Sequence, residues 1–374
     1  MVLSMGREYT KEMNKILVEV DKAVANDTFI KEFTILCVAS AYNLDESKRM
    51  ILLITGDTST GKSYVPKKIT NFLDSKSLYY FTRISPTALE NFVDIDWNNK
   101  VLFLEDVTYQ ALNNPILKVF MTEGSQTLKT DINTGEVVTR TIKGKPAMIM
   151  TSASTSLQRE TTTRVFKVQP DTKTIAELVH CNLIRTRKKQ QSIYDFDLKP
   201  YKVIIPFVED VAKAFVPKYN NPRCMRDFDK LVLLIEAHTI LNQREREIVN
   251  EQLIATKGDY DYICSLWNSI QQQDNNVFME GLLYRQKLTL NEIKNVTQFF
   301  ETGFKHFCVG DLASSTENLG SLKTVYRTIE ALCNDGQIRF IKQEDGAKTN
   351  YYEYLERDSR IFLPEFKDLV KEVE

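Results

Sequence analysis

The sequence predicts an α/β fold: a mostly parallel sheet flanked by helices, followed by a helical region and a small module of two helices and two strands. Three observations predict it. The apolar run Met50-Ile51-Leu52-Leu53-Ile54 leads into Gly56-Asp57-Thr58-Ser59-Thr60-Gly61-Lys62-Ser63, and the helix-compatible stretch Tyr64 to Leu73 follows. Strand, glycine-containing loop and helix in that order form the unit from which parallel sheets are built. Further β-type runs, Leu78 to Phe81, Val101 to Leu104 and Ala147 to Met150, alternate with helix-compatible segments that include Pro86 to Phe92 and Asn114 to Glu123. From Phe307 onward the order becomes helix, helix, strand, strand.

Taken in order, residues 10 to 45 carry two helical patterns, through Met13, Ile16, Leu17, Val20 and Val24 and then Phe29, Phe33, Leu36 and Cys37, with Asn26-Asp27 between them. Thr127 to Thr130 and Val137 to Ile142 are strand-like around the turn chemistry of Asp131 to Gly135, which predicts a β-hairpin inserted before the last sheet strand. After Val165-Phe166-Lys167-Val168 comes Arg185-Thr186-Arg187-Lys188-Lys189, which reads as a solvated basic face. Helices are expected from about Arg226 to Leu253 and from Phe278 to Phe300.

A chain of 374 residues suits two or three domains, and 43% hydrophobic with 26% charged residues excludes wholesale disorder. The formal net charge of -1 means that any contact with nucleic acid must come from local basic clusters. Cys37, Cys181, Cys224, Cys264, Cys308 and Cys333 show no C-x-x-C pair and no metal-ligand spacing, so they are expected as reduced thiols. Charged residues by Arg7 and Glu8 leave no signal segment, and no run is long enough to span a bilayer; a cytoplasmic protein without membrane contact is expected.

The motif at 56 to 63 is a complete G-x-x-x-x-G-K-S phosphate loop. Gly56 and Gly61 let the backbone bend, so that N–H groups of Asp57, Thr58, Ser59 and Thr60 converge on a triphosphate. Lys62 bridges the outer phosphates and Ser63 ligates magnesium. ATP and Mg2+ are therefore the expected cofactors. Such a site needs a second acidic element. Val101-Leu102-Phe103-Leu104-Glu105-Asp106 ends a strand in two carboxylates, with Glu105 assigned to magnesium and Asp106 to the attacking water; the two roles are exchangeable. Thr151 and Ser152, ending the next strand, are candidates to sense the γ-phosphate. Arg159 and Arg164 are placed where a ring ATPase would offer a cation to the neighbouring copy's nucleotide.

In this order of motifs the chain resembles the AAA+ replicative helicases of the pre-sensor-1 hairpin group, which includes the superfamily-III and minichromosome-maintenance (MCM) helicases. The resemblance rests on Leu117 to Gly124, the hairpin, and Lys145-Pro146-Ala147-Met148-Ile149-Met150-Thr151-Ser152. It also rests on Thr163-Arg164-Val165-Phe166, which looks like an arginine-finger segment, and on Arg226-Asp227-Phe228-Asp229-Lys230-Leu231, which is similar to a sensor-2 helix. It covers roughly residues 28 to 245. The resemblance implies that Arg164 is the finger and Arg226 the sensor-2 arginine at the nucleotide. It also implies a hairpin that grips single-stranded DNA in a pore, with Lys129, Arg140 and Lys143 as its cations, and a hexameric ring serving replication of a plasmid, virus or integrated mobile element beside other replication proteins. Two positions depart from the family: Ala153 stands near its sensor-1 asparagine, and the hairpin tip carries Asp131 and Glu136.

In the C-terminal module Ser321 is the expected N-cap of a helix whose Val325, Ile329 and Leu332 face the core. Lys323, Thr324 and Arg327 face outward. With Gln343 to Asn350 as a wing bearing Lys342 and Lys348, this is a winged helix-turn-helix pattern suited to duplex DNA. The expected domains are a helical segment at 1-27, an ATPase core at 28-200, a helical lid and connector at 201-300, and a winged helix at 301-374. The expected activity is an ATP-driven DNA helicase. The alternative is an ATP-switched DNA-binding initiator, helicase loader or regulator without unwinding.

Overall fold

The computed structural model describes residues 8–56, 60–84, 95–112, 125–130, 137–153, 159–171, 194–215, 224–272, 306–315, 321–334, 338–343, 349–354 and 361–369, and singly 114, 117, 120, 121, 177, 183, 289, 292, 293, 296 and 319. They fall into two compact units: Met1–Phe215 with Arg226–Phe278 and Phe362–Glu374, and Val216–Met225 with Met279–Ile361. Pro86 to Phe92, the hairpin tip from Asp131 to Glu136, the basic stretch Arg185 to Lys189, and most of Asn114 to Glu123 and of Phe278 to Phe300 lie outside the described residues.

The first unit opens with helix Lys11–Asp21, which buries Met13, Ile16, Leu17 and Val20 on one face, and helix Thr28–Ser40, which is buried on every side. The next strands are β1 (Ile51–Thr55), β2 (Leu78–Phe81) and β3 (Val101–Leu104), with helix Tyr64–Thr70 after β1. β4 (Ser125–Thr130) and β5 (Val137–Ile142) then pair antiparallel, from Ser125 opposite Ile142 to Thr130 opposite Val137. β6 (Ala147–Ser152), helix Arg159–Arg164 and β7 (Phe166–Val168) complete the core.

The five core strands make one parallel sheet in the order β2-β3-β6-β1-β7. Every residue of β1, β3, β6 and β7 is buried, because both faces are covered. On one face Leu53, Leu102, Leu104, Met148 and Met150 pack with Trp97 and Phe120. On the other, helix Thr28–Ser40 lies against the sheet: Phe33 meets the Phe166 ring at 6.0 Å, and Cys37 Sγ donates to the Met148 carbonyl at 3.4 Å. Two strands therefore separate β1 from β2 in space, and the carboxyl ends of β1, β3 and β6 share one edge, where ligands of open α/β sheets bind.

Beyond the core come β8 (Lys202–Ile204), helix Val208–Ala214, helix Cys224–Leu241, β9 (Ile248–Val249), β10 (Gln252–Ile254), helix Lys257–Gln272 and the short helix Phe366–Leu369. The helix expected to run to Leu253 ends at Leu241. β9 and β10 replace its tail, joined through Asn250 and Glu251 at φ 49° and 62°, the paired positive values a two-residue hairpin needs.

The second unit contains β11 (His306–Cys308), helix Val309–Ser315, helix Leu322–Asn334, β12 (Ile338–Gln343) and β13 (Asn350–Tyr354). Its sheet is antiparallel in the order β11-β13-β12. Phe307, Leu312, Val325, Ile329, Leu332, Ile338 and Tyr352 form its core. Among the described residues no helix is long and apolar enough to cross a membrane, no group of side chains has metal-site geometry, and Cys37, Cys264, Cys308 and Cys333 are free thiols.

Candidate nucleotide site

The described part of the phosphate loop has the geometry its sequence requires. Gly61 sits at φ 91°, a left-handed value that a side chain resists. A Cβ on Gly56 would stand 3.1 Å from Pro170 Cδ, a close approach that the absence of a side chain relieves. Gly56 N–H donates to the Ser152 carbonyl at 3.3 Å, and Gly61 C=O accepts from Tyr64 N–H at 3.0 Å, opening helix Tyr64–Thr70. Lys62 is buried behind the loop. Asp57, Thr58 and Ser59 lie outside the described residues. A glycine in left-handed conformation, a buried lysine and a serine at the helix start fit the phosphates of ATP with magnesium.

The second acidic element meets the loop through Thr151. Its Oγ1 lies 3.1 Å from Ser63 Oγ and accepts the Asp106 N–H at 3.1 Å. Val107 N–H donates to the Thr151 carbonyl at 2.7 Å and Ser152 Oγ donates to the Val107 carbonyl at 2.6 Å, fastening the chain after β3 to the end of β6. So held, Asp106 adopts φ 53°, a strained value for a residue with a side chain and the kind of strain stored at functional sites. Thr151 and Ser152 are both fully buried, whereas Ala153 is exposed.

Glu105 has a partner the sequence did not suggest. Tyr80 Oη, from the neighbouring strand β2, donates to Glu105 Oε2, and Lys67 Nζ from the helix after the loop donates to Tyr80 Oη at 3.1 Å. Burial first, then the Glu105 bond, raise the Tyr80 phenol above its ordinary value, so it stays protonated and donates. Tyr80→Phe would free Glu105 to turn without altering the loop. Phosphate release at saturating ATP should fall about tenfold with KM nearly unchanged; a KM effect alone would place Tyr80 outside the chemistry.

Arg164 and Arg226 meet elsewhere. Arg226 Nη1 donates to Thr163 Oγ1, and both arginines line a cavity of about 650 Å3 together with Lys48, Arg49, Lys145 and Lys230; Asp229 is the one acid in its lining. The cavity lies where β1, β6 and β7 begin, since Ile51 and Phe166 line it and Lys145 stands just before β6. It is therefore at the opposite edge of the sheet from Lys62, separated by roughly 13 Å of β1. Arg49 is 2% exposed and donates to the Asn43 and Lys145 carbonyls; among the described residues it has no ion-pair partner. Lys230 Nζ donates to the Val165 carbonyl at 3.0 Å, with Asp227 3.9 Å away. The side chain of Arg159 lies outside the described residues.

Of the residues expected at DNA, Lys143 forms a surface ion pair with Asp96 at 2.7 Å. Lys129 and Arg140 occupy β4 and β5, and Lys342 occupies β12, with side chains outside the described residues; Lys348 lies wholly outside them. On helix Leu322–Asn334, Lys323 and Arg327 are exposed and have no ion-pair partner among the described residues, while Thr324 Oγ1 meets Ser321 Oγ at 3.0 Å. Leu322 and Tyr326 are exposed beside them.

No family model and no curated relative matches the chain. Solved structures that it resembles weakly include a full-length MCM homologue from Methanopyrus kandleri, at 10% identity over 70% of this chain and 62% of that one with a TM-score of 0.39. Others are the Aeropyrum pernix ORC1 protein in complex with DNA (13% identity, 94% of each chain, TM-score 0.28) and Drosophila ORC bound to DNA (9%, 96% of this chain and 94% of that one, 0.28). Likeness at these values transfers neither fold nor activity. The strand order and the loop geometry of this chain are what define its core.

Proposed function

We propose that this chain is a ring-forming ATPase of the AAA+ type in which the phosphate loop of one copy and the basic cavity of the next together complete each nucleotide site. Lys62 and Ser63 would hold the phosphates and magnesium, and Glu105, steadied by Tyr80, would serve as the acidic group for the metal. Asp106 orients the attacking water, and Thr151 couples Asp106 to the loop. Arg164, with Arg226 beside it, neutralises charge on the transferred phosphoryl group from the adjacent copy. ATP with magnesium supplies the anhydride to be cleaved. The observation that carries this reading is the cavity: a chain with 49 basic and 50 acidic residues places six cations and one acid around a single hollow, at the sheet edge its own loop cannot use.

The work done is proposed to be on DNA, as a hexameric helicase for a plasmid, virus or integrated element acting with other replication proteins. The β4–β5 hairpin, with Lys129 and Arg140, would draw one strand through the ring. A second reading has its own support in the exposed Lys323 and Arg327: a winged helix holding duplex DNA for an ATP-switched initiator, loader or regulator. A forked DNA duplex separates them. Strand displacement that needs ATP, and that is lost in Lys129→Ala/Arg140→Ala while ATP turnover survives, is expected for the motor. Duplex binding dependent on Lys323 and Arg327, with ATP turnover but no displacement, would select the initiator.

A further inference from the structure

Glu236 lies on helix Cys224–Leu241, the helix that also carries Arg226, Asp229 and Lys230 to the cavity. It is 7% exposed, and its Oε2 accepts from Asn43 Nδ2 at 2.6 Å. The Asn43 carbonyl in turn accepts from Arg49 Nε and Nη2 at 3.2 and 3.1 Å, and Arg49 Nη1 donates to the Lys145 carbonyl at 2.5 Å. A buried carboxyl is thus joined through Asn43 to one of the cavity's cations, Arg49, which is itself anchored on the Lys145 backbone. A second cation, Lys48, lines the same cavity and lies in the electrostatic reach of Glu236.

The charged groups facing Glu236 come from two other elements: Asp45 and Lys48 from the segment before β1, and Lys202 from β8. Asp45 Oδ1 accepts the Ser47 N–H and hydroxyl at 3.0 and 2.7 Å. Burial dominates and pushes the Glu236 carboxyl up to about 7, against the pull of Lys48, the Asn43 bond and Lys202 and with a smaller push from Asp45. The carboxyl therefore changes charge near neutrality.

We infer that Glu236 is a positioning residue for the cavity: uncharged, it leaves Lys48 and the Asn43–Arg49–Lys145 brace to an incoming polyphosphate, and ionised, it competes with that polyphosphate for Lys48. This rests on reading the cavity as a phosphate-receiving surface. The sign follows from linkage. An anion in the cavity favours the neutral carboxyl, so binding takes up a proton and weakens as pH rises through about 7.

Calorimetry with inorganic tripolyphosphate tests this on the full-length Lys62→Ala chain, whose own loop no longer holds phosphate, at pH 6 and pH 8. The same titrations are run with Glu236→Gln added. The ligand's own ionisation is common to both proteins. The loss of affinity from pH 6 to pH 8 should be about fivefold greater in the Glu236 chain than in the Gln chain. Lys48→Gln, at a half-buried position that does not threaten the fold, should erase that difference and decides the matter if Glu236→Gln does not fold. Equal losses in all three proteins, or no binding at either pH, would overturn the inference. ATP turnover enters neither arm. A protein that binds tripolyphosphate with the expected pH dependence yet hydrolyses no ATP would sink the motor and leave this inference standing.

Discussion

Assemblies made only of Lys62→Ala chains, or only of Arg164→Ala chains, should hydrolyse ATP on the order of a thousandfold more slowly than wild type, and mixing the two should restore turnover. The first variant leaves every loop without the cation that bridges the outer phosphates. The second leaves every loop intact but faces it with a cavity that has lost one of its three arginines. In a one-to-one mixture about one interface in four pairs an intact loop with an intact cavity, if the copies assemble at random around a closed ring. Phosphate release near a quarter of the wild-type rate is the expected reading. Roughly 13 Å of β1 separates Lys62 from the cavity of its own copy, a span longer than any side chain. A mixture that co-assembles, shown by a pull-down with one tagged variant, yet stays at the baseline of its parents would put both functions in one copy. The composite site would then be wrong.

The loop half of the proposed site was legible from the sequence because its residues are contiguous. Gly56 to Ser63, Glu105-Asp106 and Thr151-Ser152 each sit at the end of an apolar run, and fully buried parallel strands show as such runs. Tyr80 was not legible. A tyrosine in a four-residue strand reads as β propensity, and only the pairing of β2 with β3 brings its phenol to Glu105. The cavity was half legible: Arg164 and Arg226 stand out in their segments, but Lys48, Arg49 and Lys145 look like ordinary surface charge until β1 and β6 lie side by side. The helix expected from Arg226 to Leu253 failed at Asn242 for a local reason. The apolar positions Ile248, Val249, Leu253 and Ile254 keep an approximate helical spacing, while the turn at Asn250 and Glu251 imposes period two. Helix Lys257–Gln272, unanticipated, is fixed largely by contacts outside itself.

Those contacts centre on Asp259, and its loss should strongly destabilise the first unit. The carboxylate is fully buried and receives five bonds: Arg246 Nε and Nη2 at 2.8 and 2.7 Å, Thr256 N–H and Oγ1 both at 2.8 Å, and His238 Nδ1 at 2.7 Å. Thr256 and Asp259 close the first turn of helix Lys257–Gln272 in the manner of a capping box. His238 fastens helix Cys224–Leu241 to that turn while stacking on Tyr262 at 4.4 Å. Asp259→Ala leaves the Arg246 guanidinium, 8% exposed, without its counter-charge and strips the helix start of its acceptor. Removing one partner of a buried pair costs about 3–5 kcal/mol, which for a unit of this size lowers the melting temperature by about 10 °C. Burial by itself would raise this carboxyl. The bonds from His238 and Arg246 outweigh burial and hold it well below the ordinary carboxylate range. A depressed carboxyl contributes stability that is present above its unfolded value of about 4 and is lost as pH falls toward its folded value. Melting curves of wild type and Asp259→Asn should accordingly be far apart at pH 7 and begin to draw together only as pH falls below about 4. Curves that run parallel across that range would mean the ion pair, for all its geometry, is not what holds the two helices together.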